Sequence, residues 1–300
     1  MLKNLEQFVQ VLKIEKNYSR NTVASYLNDL NLLQRFLKKR KITFKELVND
    51  SEIIKNYFRQ LAKTKMSSRT IKRKFASFSS YFSYLIDQKK IKKNPLNNVF
   101  TPKLSRKLPT VLSRDEIEQI FKKSENTDNK LLGLRDRCIL EMLYSCGLRV
   151  SELCELKINN VQFDSNVIRF FGKGNKERII PLTYYAKEWL ERYLDQSRRI
   201  LLSRIYSDSK YVFLSNNGKK LTRAAIWQSI KKYVESAHIT KDVSPHTFRH
   251  SFATHLIDGG ANLIEIQKLL GHSDISTTEI YIHLSKEFID KEYTKAFDKE

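Results

Sequence analysis

Apolar residues recur at three- and four-residue intervals through most of the chain, the rhythm of amphipathic helices. NTVASYLNDLNLLQRFLKK (21–39) and SSRTIKRKFASFSSYFSYLIDQ (67–88) each carry one apolar stripe, with Asn21 and Ser67 or Ser68 placed as N-caps. About four helices are predicted before residue 94. The first glycine is Gly133, so tight turns needing positive φ are scarce in this part and hairpins are disfavoured. Pro95, Pro102 and Pro109 then fall within KNPLNNVFTPKLSRKLPTVLS, where each fixes φ and removes a donor. That stretch, about 94–110, reads as a linker between a domain at 1–105 and a second at 106–300.

The second domain opens on SRDEIEQIFKKS, with Ser113 and Glu116 spaced as a capping box, and LLGLRDRCILEMLYSCG reads as a helix stopped by Gly147. The period then shortens. NVIRFFG and KERIIPL are strand-like runs joined by Gly172, Lys173, Gly174 and Asn175, residues that tolerate left-handed turn geometry. Only about 158–182 reads as sheet. Helical spacing returns in AKEWLERYLDQSRRILL, TRAAIWQSIKKYVESAH, SPHTFRHSFATHLIDGG and ANLIEIQKLLGH. The predicted fold class is mainly α: a helical N-terminal domain, then a mostly α domain with a small antiparallel β-sheet.

Charge narrows the partner. Across 300 residues, 55 Lys+Arg oppose 33 Asp+Glu, a formal charge of +22, while 41% hydrophobic content suits a folded protein. Residues 1–105 hold 23 basic and 7 acidic groups (+16), against 32 and 26 (+6) in the remainder. Such an excess repels itself unless a polyanion offsets it, which points to nucleic acid. Arg69, Lys72, Arg73 and Lys74 lie at the start of one predicted helix, where the N-terminus already favours anions, and are candidate DNA contacts. No run reaches the roughly 18 apolar residues of a membrane helix, and MLKNLEQFVQ lacks the apolar core of a signal peptide, so no membrane association and a cytoplasmic location are expected. Cys138, Cys146 and Cys154 form no CxxC pair and read as reduced core residues.

Several residues could carry chemistry. Ser244 and Pro245 start a helix whose first turns hold His246 and Arg249 on one face, a place to grip a phosphate. Arg149 follows the Gly147 stop, with Glu152 three residues on; alone, that spacing describes an ordinary surface ion pair. Lys173 sits in a glycine-flanked turn. Gly271 and His272 follow a helix end, and Ser276 with Glu279 caps a further helix presenting Tyr281, whose default role is packing.

Taken in order, Arg149, Lys173, His246-Thr-Phe-Arg249, Gly271-His272 and Tyr281 resemble the active-site constellation of the tyrosine recombinases, the phage integrase family of site-specific DNA strand exchangers. The likeness runs through the whole chain, and its short length without large insertions is most similar to the bacterial Xer subgroup. The resemblance implies a SAM-like core-binding N-terminal domain that clamps DNA and a catalytic domain ending in a helix at about 286–300. It implies cleavage through a 3′-phosphotyrosyl intermediate on Tyr281, with no metal, cofactor or ATP. Arg149, Arg249 and His272 would neutralise the phosphate charge, His246 would take the tyrosine proton, Lys173 would protonate the leaving 5′ oxygen, and Glu152 would support Arg149.

The implied partners are double-stranded DNA with an inverted-repeat (dif-like) site, a homo- or heterotetramer on two duplexes with a possible second Xer recombinase, and a septal DNA translocase. The implied role is resolving chromosome dimers. Other readings are a phage or transposon integrase or a relaxing topoisomerase of the same mechanism, a non-catalytic basic DNA-binding protein, and a metal hydrolase using His246, His250 and His255. The last lacks an HExxH glutamate.

Overall fold

Short polar side chains start the helices of the N-terminal part. In the computed structural model, which describes residues 2–64, 66–97, 99, 110–171, 177–205, 208–262, 264 and 266, these are α1 (Leu5–Ile14), α2 (Arg20–Lys39), α3 (Phe44–Asn49), α4 (Ser51–Ala62) and α5 (Ser68–Asp87). The sequence suggested about four; the additional short α3 is held by a capping box in which Thr43 and Glu46 satisfy each other's amides. Ser67 caps α5, accepting the Thr70 amide. For α2 the predicted cap was wrong: the Ser19 hydroxyl takes the Thr22 amide at 3.1 Å, which starts the helix at Arg20 and leaves Asn21 inside its first turn.

The two 20-residue helices α2 and α5 enclose the core of this unit, with Leu30, Leu33, Phe78, Tyr81 and Phe82 buried alongside Phe8 and Leu12 of α1. One ionic cluster lies within it. Asp29 is 0% and Lys74 2% exposed; Lys74 Nζ donates to Asp29 Oδ1 at 2.9 Å, while Arg73 and Ser77 donate to Oδ2. Lys74 is therefore removed from the predicted DNA-facing set, because its helix turns it inward against a buried carboxylate. Arg69 is exposed, and Lys72 and Arg73 are half-exposed.

The chain divides into two compact units, Met1–Lys107 and Leu108–Glu300. The second begins with α6 (Arg114–Glu125), capped by a reciprocal pair in which the Glu116 amide donates to Ser113 Oγ at 3.2 Å and the Ser113 amide to Glu116 Oε2 at 2.7 Å. Its centre is α7 (Lys130–Ser145), buried almost continuously from Arg135 to Ser145. Its inward-facing charges are matched: Arg137 Nη1 donates to Glu141 at 2.5 Å and its guanidinium lies over the Phe121 and Trp189 rings, while Asp136 accepts from Arg135 and Tyr233. Cys138, Cys146 and Cys154 are buried thiols.

After α7 come α8 (Val150–Glu155) and an antiparallel sheet in the order β1 (Val161–Gln162), β2 (Val167–Phe171), β3 (Glu177–Pro181). Phe170 stands opposite Arg178 and Ile168 opposite Ile180, both isoleucines fully buried. The polypeptide continues through α9 (Tyr184–Arg192), a wide π-turn at Tyr193–Arg198 and α10 (Arg199–Leu202). It closes its described part with α11 (Arg223–Ser236) and α12 (Pro245–Asp258). Among the described residues no helix is long and apolar enough to cross a membrane.

Candidate active site

Gly147 ends α7 with φ of +57°, a left-handed residue that turns the chain sharply into Leu148 and Arg149. Arg149 is the N-cap of α8, and Glu152 reaches back to it in two ways. Glu152 Oε2 accepts the Arg149 amide at 2.8 Å and Oε1 accepts Arg149 Nη1 at 2.7 Å. Only the Glu152 half of a capping box is made here: a guanidinium has donors alone and cannot accept the Glu152 amide, so Arg149 pairs with the carboxylate instead. The same Oε1 accepts Nη1 of Arg178 from β3. The Glu152 side chain is only 16% exposed, so the Arg149 pair is partly buried, unlike the surface ion pair its spacing alone describes.

The second arginine arrives from a distant segment. Ser244 opens α12 with its amide donating to Thr247 Oγ1 at 3.0 Å, and Pro245 occupies the first turn. Arg249, 7% exposed, donates from Nη1 to the Gly147 carbonyl. Two guanidiniums separated by 100 positions in sequence are thereby joined to one short turn, 147–149. His246 is exposed, so it and Arg249 share a helix but not an environment. Phe248 and Phe252 are buried, giving α12 its inner face.

A third histidine of α12, His255, does different work. His255 Nδ1 lies 2.9 Å from the Tyr144 hydroxyl; burial, and next the nearby Arg114 charge, hold its pKa below the ordinary histidine value. Burial also raises the Tyr144 pKa above the usual tyrosine range. Among the described residues, no three His, Cys, Asp or Glu side chains gather as metal ligands. Lys173, His272 and Tyr281 lie outside the described residues, as do Ser276, Glu279 and the segment 286–300.

Sequence reasoning missed Arg178. The available signal was its register: in ERIIP it alternates onto the same face as Ile180, and a charged residue on an inward face needs a buried partner. Together the turn presents fixed N–H donors and net positive charge, the equipment for stabilising an oxyanion that develops at a phosphodiester.

Two arginines joined to one turn, in a mostly helical chain with one small sheet and a formal charge of +22, fit the class of proteins that hold a polyanion. Residues 110–287 match the Phage integrase family, and residues 5–89 match its N-terminal SAM-like domain. The chain belongs to the phage integrase family, the tyrosine recombinases. It is 39% identical over 291 residues to the tyrosine recombinase XerD of Staphylococcus epidermidis, covering 97% of both chains. It is 38% identical over 285 residues to the tyrosine recombinase XerC of Anoxybacillus flavithermus, covering 95% and 94%. In fold it is similar to the XerH site-specific recombinase bound to a palindromic difH substrate, with a TM-score of 0.67 at 22% identity, covering 98% of this chain and 85% of that one. It is similar also to the Tn1549 transposon integrase bound to transposon right end DNA, with a TM-score of 0.69 at 18% identity, covering 94% and 93%.

Proposed function

We propose that this chain is a Xer-type site-specific recombinase that binds double-stranded DNA and cuts and rejoins its strands through Tyr281. Full-length similarity to tyrosine recombinases XerD and XerC carries the reading. The convergence of Arg149 and Arg249 on the 147–149 turn supports it.

The chemistry follows from the residue types. A phosphodiester carries one negative charge, which grows toward two as phosphorus becomes five-coordinate. Arg149, Arg249 and His272 offset that growth by donating to the nonbridging oxygens; losing a comparable donor in other enzymes costs on the order of 3 kcal/mol of transition-state stabilisation. The Tyr281 oxygen attacks phosphorus, its proton passes to His246, and the bond to the 5′ oxygen breaks with a proton supplied by Lys173. The products are a 3′-phosphotyrosyl linkage and a free 5′-hydroxyl. Attack by a 5′-hydroxyl from a partner strand reverses these steps, so the backbone is resealed without ATP.

Exposed Arg69 and half-exposed Lys72 at the start of α5 are the part of the predicted basic set that remains available for phosphate contacts, whereas Arg73 is engaged by Asp29 and the Ser25 carbonyl. We assign the finer biology to the same reading: an inverted-repeat dif-like site, a tetramer on two duplexes formed alone or with a second Xer recombinase, closed by the 286–300 segment, and chromosome-dimer resolution with a septal DNA translocase.

Covalent trapping tests the core of this reading. Wild type and Tyr281→Phe are incubated in chelator with nicked duplexes carrying inverted-repeat sites, then separated on a denaturing gel. A protein–DNA adduct from wild type alone is the expected result. An adduct formed by the phenylalanine variant, or none from wild type on a duplex it binds, would falsify the assignment.

A further inference from the structure

Glu152 presents an imbalance that the recombinase chemistry leaves unexplained. A carboxylate bonded to Arg149 alone would form a neutral pair, weakening the very cation that must meet a phosphodiester. Instead Oε1 is shared: Arg149 Nη1 donates at 2.7 Å and Arg178 Nη1 donates to the same atom. Three groups, two positive and one negative, keep a net positive charge at the turn. The shared carboxylate and the Arg178 guanidinium are shielded from full solvent screening, with Glu152 16% and Arg178 15% exposed at the side chain, while Arg149, at 34%, stays open to a ligand.

The second consequence is mechanical. Arg178 projects from β3 on the face it shares with buried Ile180, in register with Phe170 of β2. Those two strands flank residues 172–176, which include Lys173. Glu152 therefore joins the helix that Arg149 caps to the hairpin that leads into the lysine segment.

We propose that Arg178 is a positioning residue for strand cleavage, acting through Glu152 to hold the Arg149 guanidinium in place while balancing the carboxylate's charge. The inference rests on the recombinase reading above. Arg178 itself need not touch DNA, because its Nη1 is directed to Glu152. DNA affinity, which is summed over many phosphate contacts, should thus be insensitive to it, whereas cleavage depends on the placement of Arg149.

The experiment uses the full chain and nicked duplex, comparing wild type, R178Q, R178K, E152Q, R178Q/E152Q and R178K/E152Q. Three quantities are read: the single-turnover rate of Tyr281 adduct formation, the Kd for the same duplex, and Tm. R178Q is expected to slow adduct formation by about 10- to 100-fold, the scale of a misplaced catalytic group. Its Kd should change by less than about threefold, since only one of many charges is removed. R178K, which keeps the charge and loses the fixed fork, should fall between R178Q and wild type. On the E152Q background R178Q should cost little more, because residues acting as one unit are not additive.

If glutamine at 178 unfolds the sheet, R178K with an unchanged Tm must still lose at least about threefold in rate, and lose it only while Glu152 is present. A wild-type rate in folded R178Q, or losses that multiply in R178Q/E152Q, overturns the positioning role and leaves the recombinase reading intact. A wild type that forms no Tyr281-dependent adduct overturns both.

Discussion

Replacing Asp29 by alanine is the sharpest test of what holds the N-terminal unit together. Its carboxylate is wholly buried and receives Lys74 at 2.9 Å on one oxygen, and Arg73 and Ser77 on the other. The three donors differ in what they lose. Arg73 is 39% exposed and can turn to water, whereas Lys74, at 2%, would remain an ammonium without its carboxylate inside an apolar core. Breaking one side of a buried pair costs about 3–5 kcal/mol, nearly all of it here from Lys74. Replacing both partners by apolar groups should restore most of that, so Asp29→Ala combined with Lys74→Met should be far more stable than Asp29→Ala alone. Amide hydrogen exchange of α2 and α5 peptides reads this unit directly. A loss of 3 kcal/mol raises the opening constant about 150-fold. Trp189 and Trp227, the two tryptophans, both lie in the second unit, so their fluorescence reports that unit separately. A loss below about 1 kcal/mol in Asp29→Ala, or no recovery in the double variant, would refute the account of a pair held by mutual burial.

Two further predictions concern the second unit. The His255 pKa is lowered by burial and then by Arg114, against opposing effects of Asp258 and a hydrogen bond with the Leu112 backbone, so the folded state binds its proton less readily than the unfolded chain. The stability this preserves is complete above the unfolded value of about 6.5 and is lost as pH falls through the lower folded value. Urea midpoints followed by tryptophan fluorescence should therefore drop further between pH 7.5 and 5 in wild type than in His255→Gln; parallel curves would remove the histidine from the acid response. At Gly133, a Cβ would stand 2.5 Å from Thr127 Cγ2 and 2.7 Å from the Ser124 carbonyl oxygen. Alanine ordinarily gains about 1 kcal/mol over glycine within a helix, but this contact with backbone should make Gly133→Ala destabilising by about 1–3 kcal/mol. A raised thermal midpoint would show that the 124–127 segment yields more easily than the close approach implies.

Helices and the small sheet were legible because their cues are local. Ser113 and Glu116 meet three residues apart, Gly147 takes the left-handed turn expected of a helix stop, and the short β-branched and aromatic runs NVIRFFG and KERIIPL produce paired strands. The Asn21 assignment failed on a local competition, since Ser19 stands two residues earlier with a hydroxyl able to reach the Thr22 amide. Lys74 failed for a different reason. A run of four basic residues on a helix spans more than one face, and which member turns inward depends on Asp29, 45 positions away and itself expected on a surface.

The same distinction explains the site. Arg149 and Glu152 could be paired from their spacing, but spacing could not say that the pair is half-shielded or that Glu152 serves a second guanidinium. Those facts depend on β3 and α12 arriving at the 147–152 segment through tertiary packing. Gly147 connects the two scales. Its positive φ is a local requirement of the helix stop, yet the carbonyl it orients is the acceptor for Arg249, 102 residues later. A residue that reads as simple punctuation therefore also fixes a charged side chain. In this fold the turn that ends α7 is the scaffold against which the arginines are aligned.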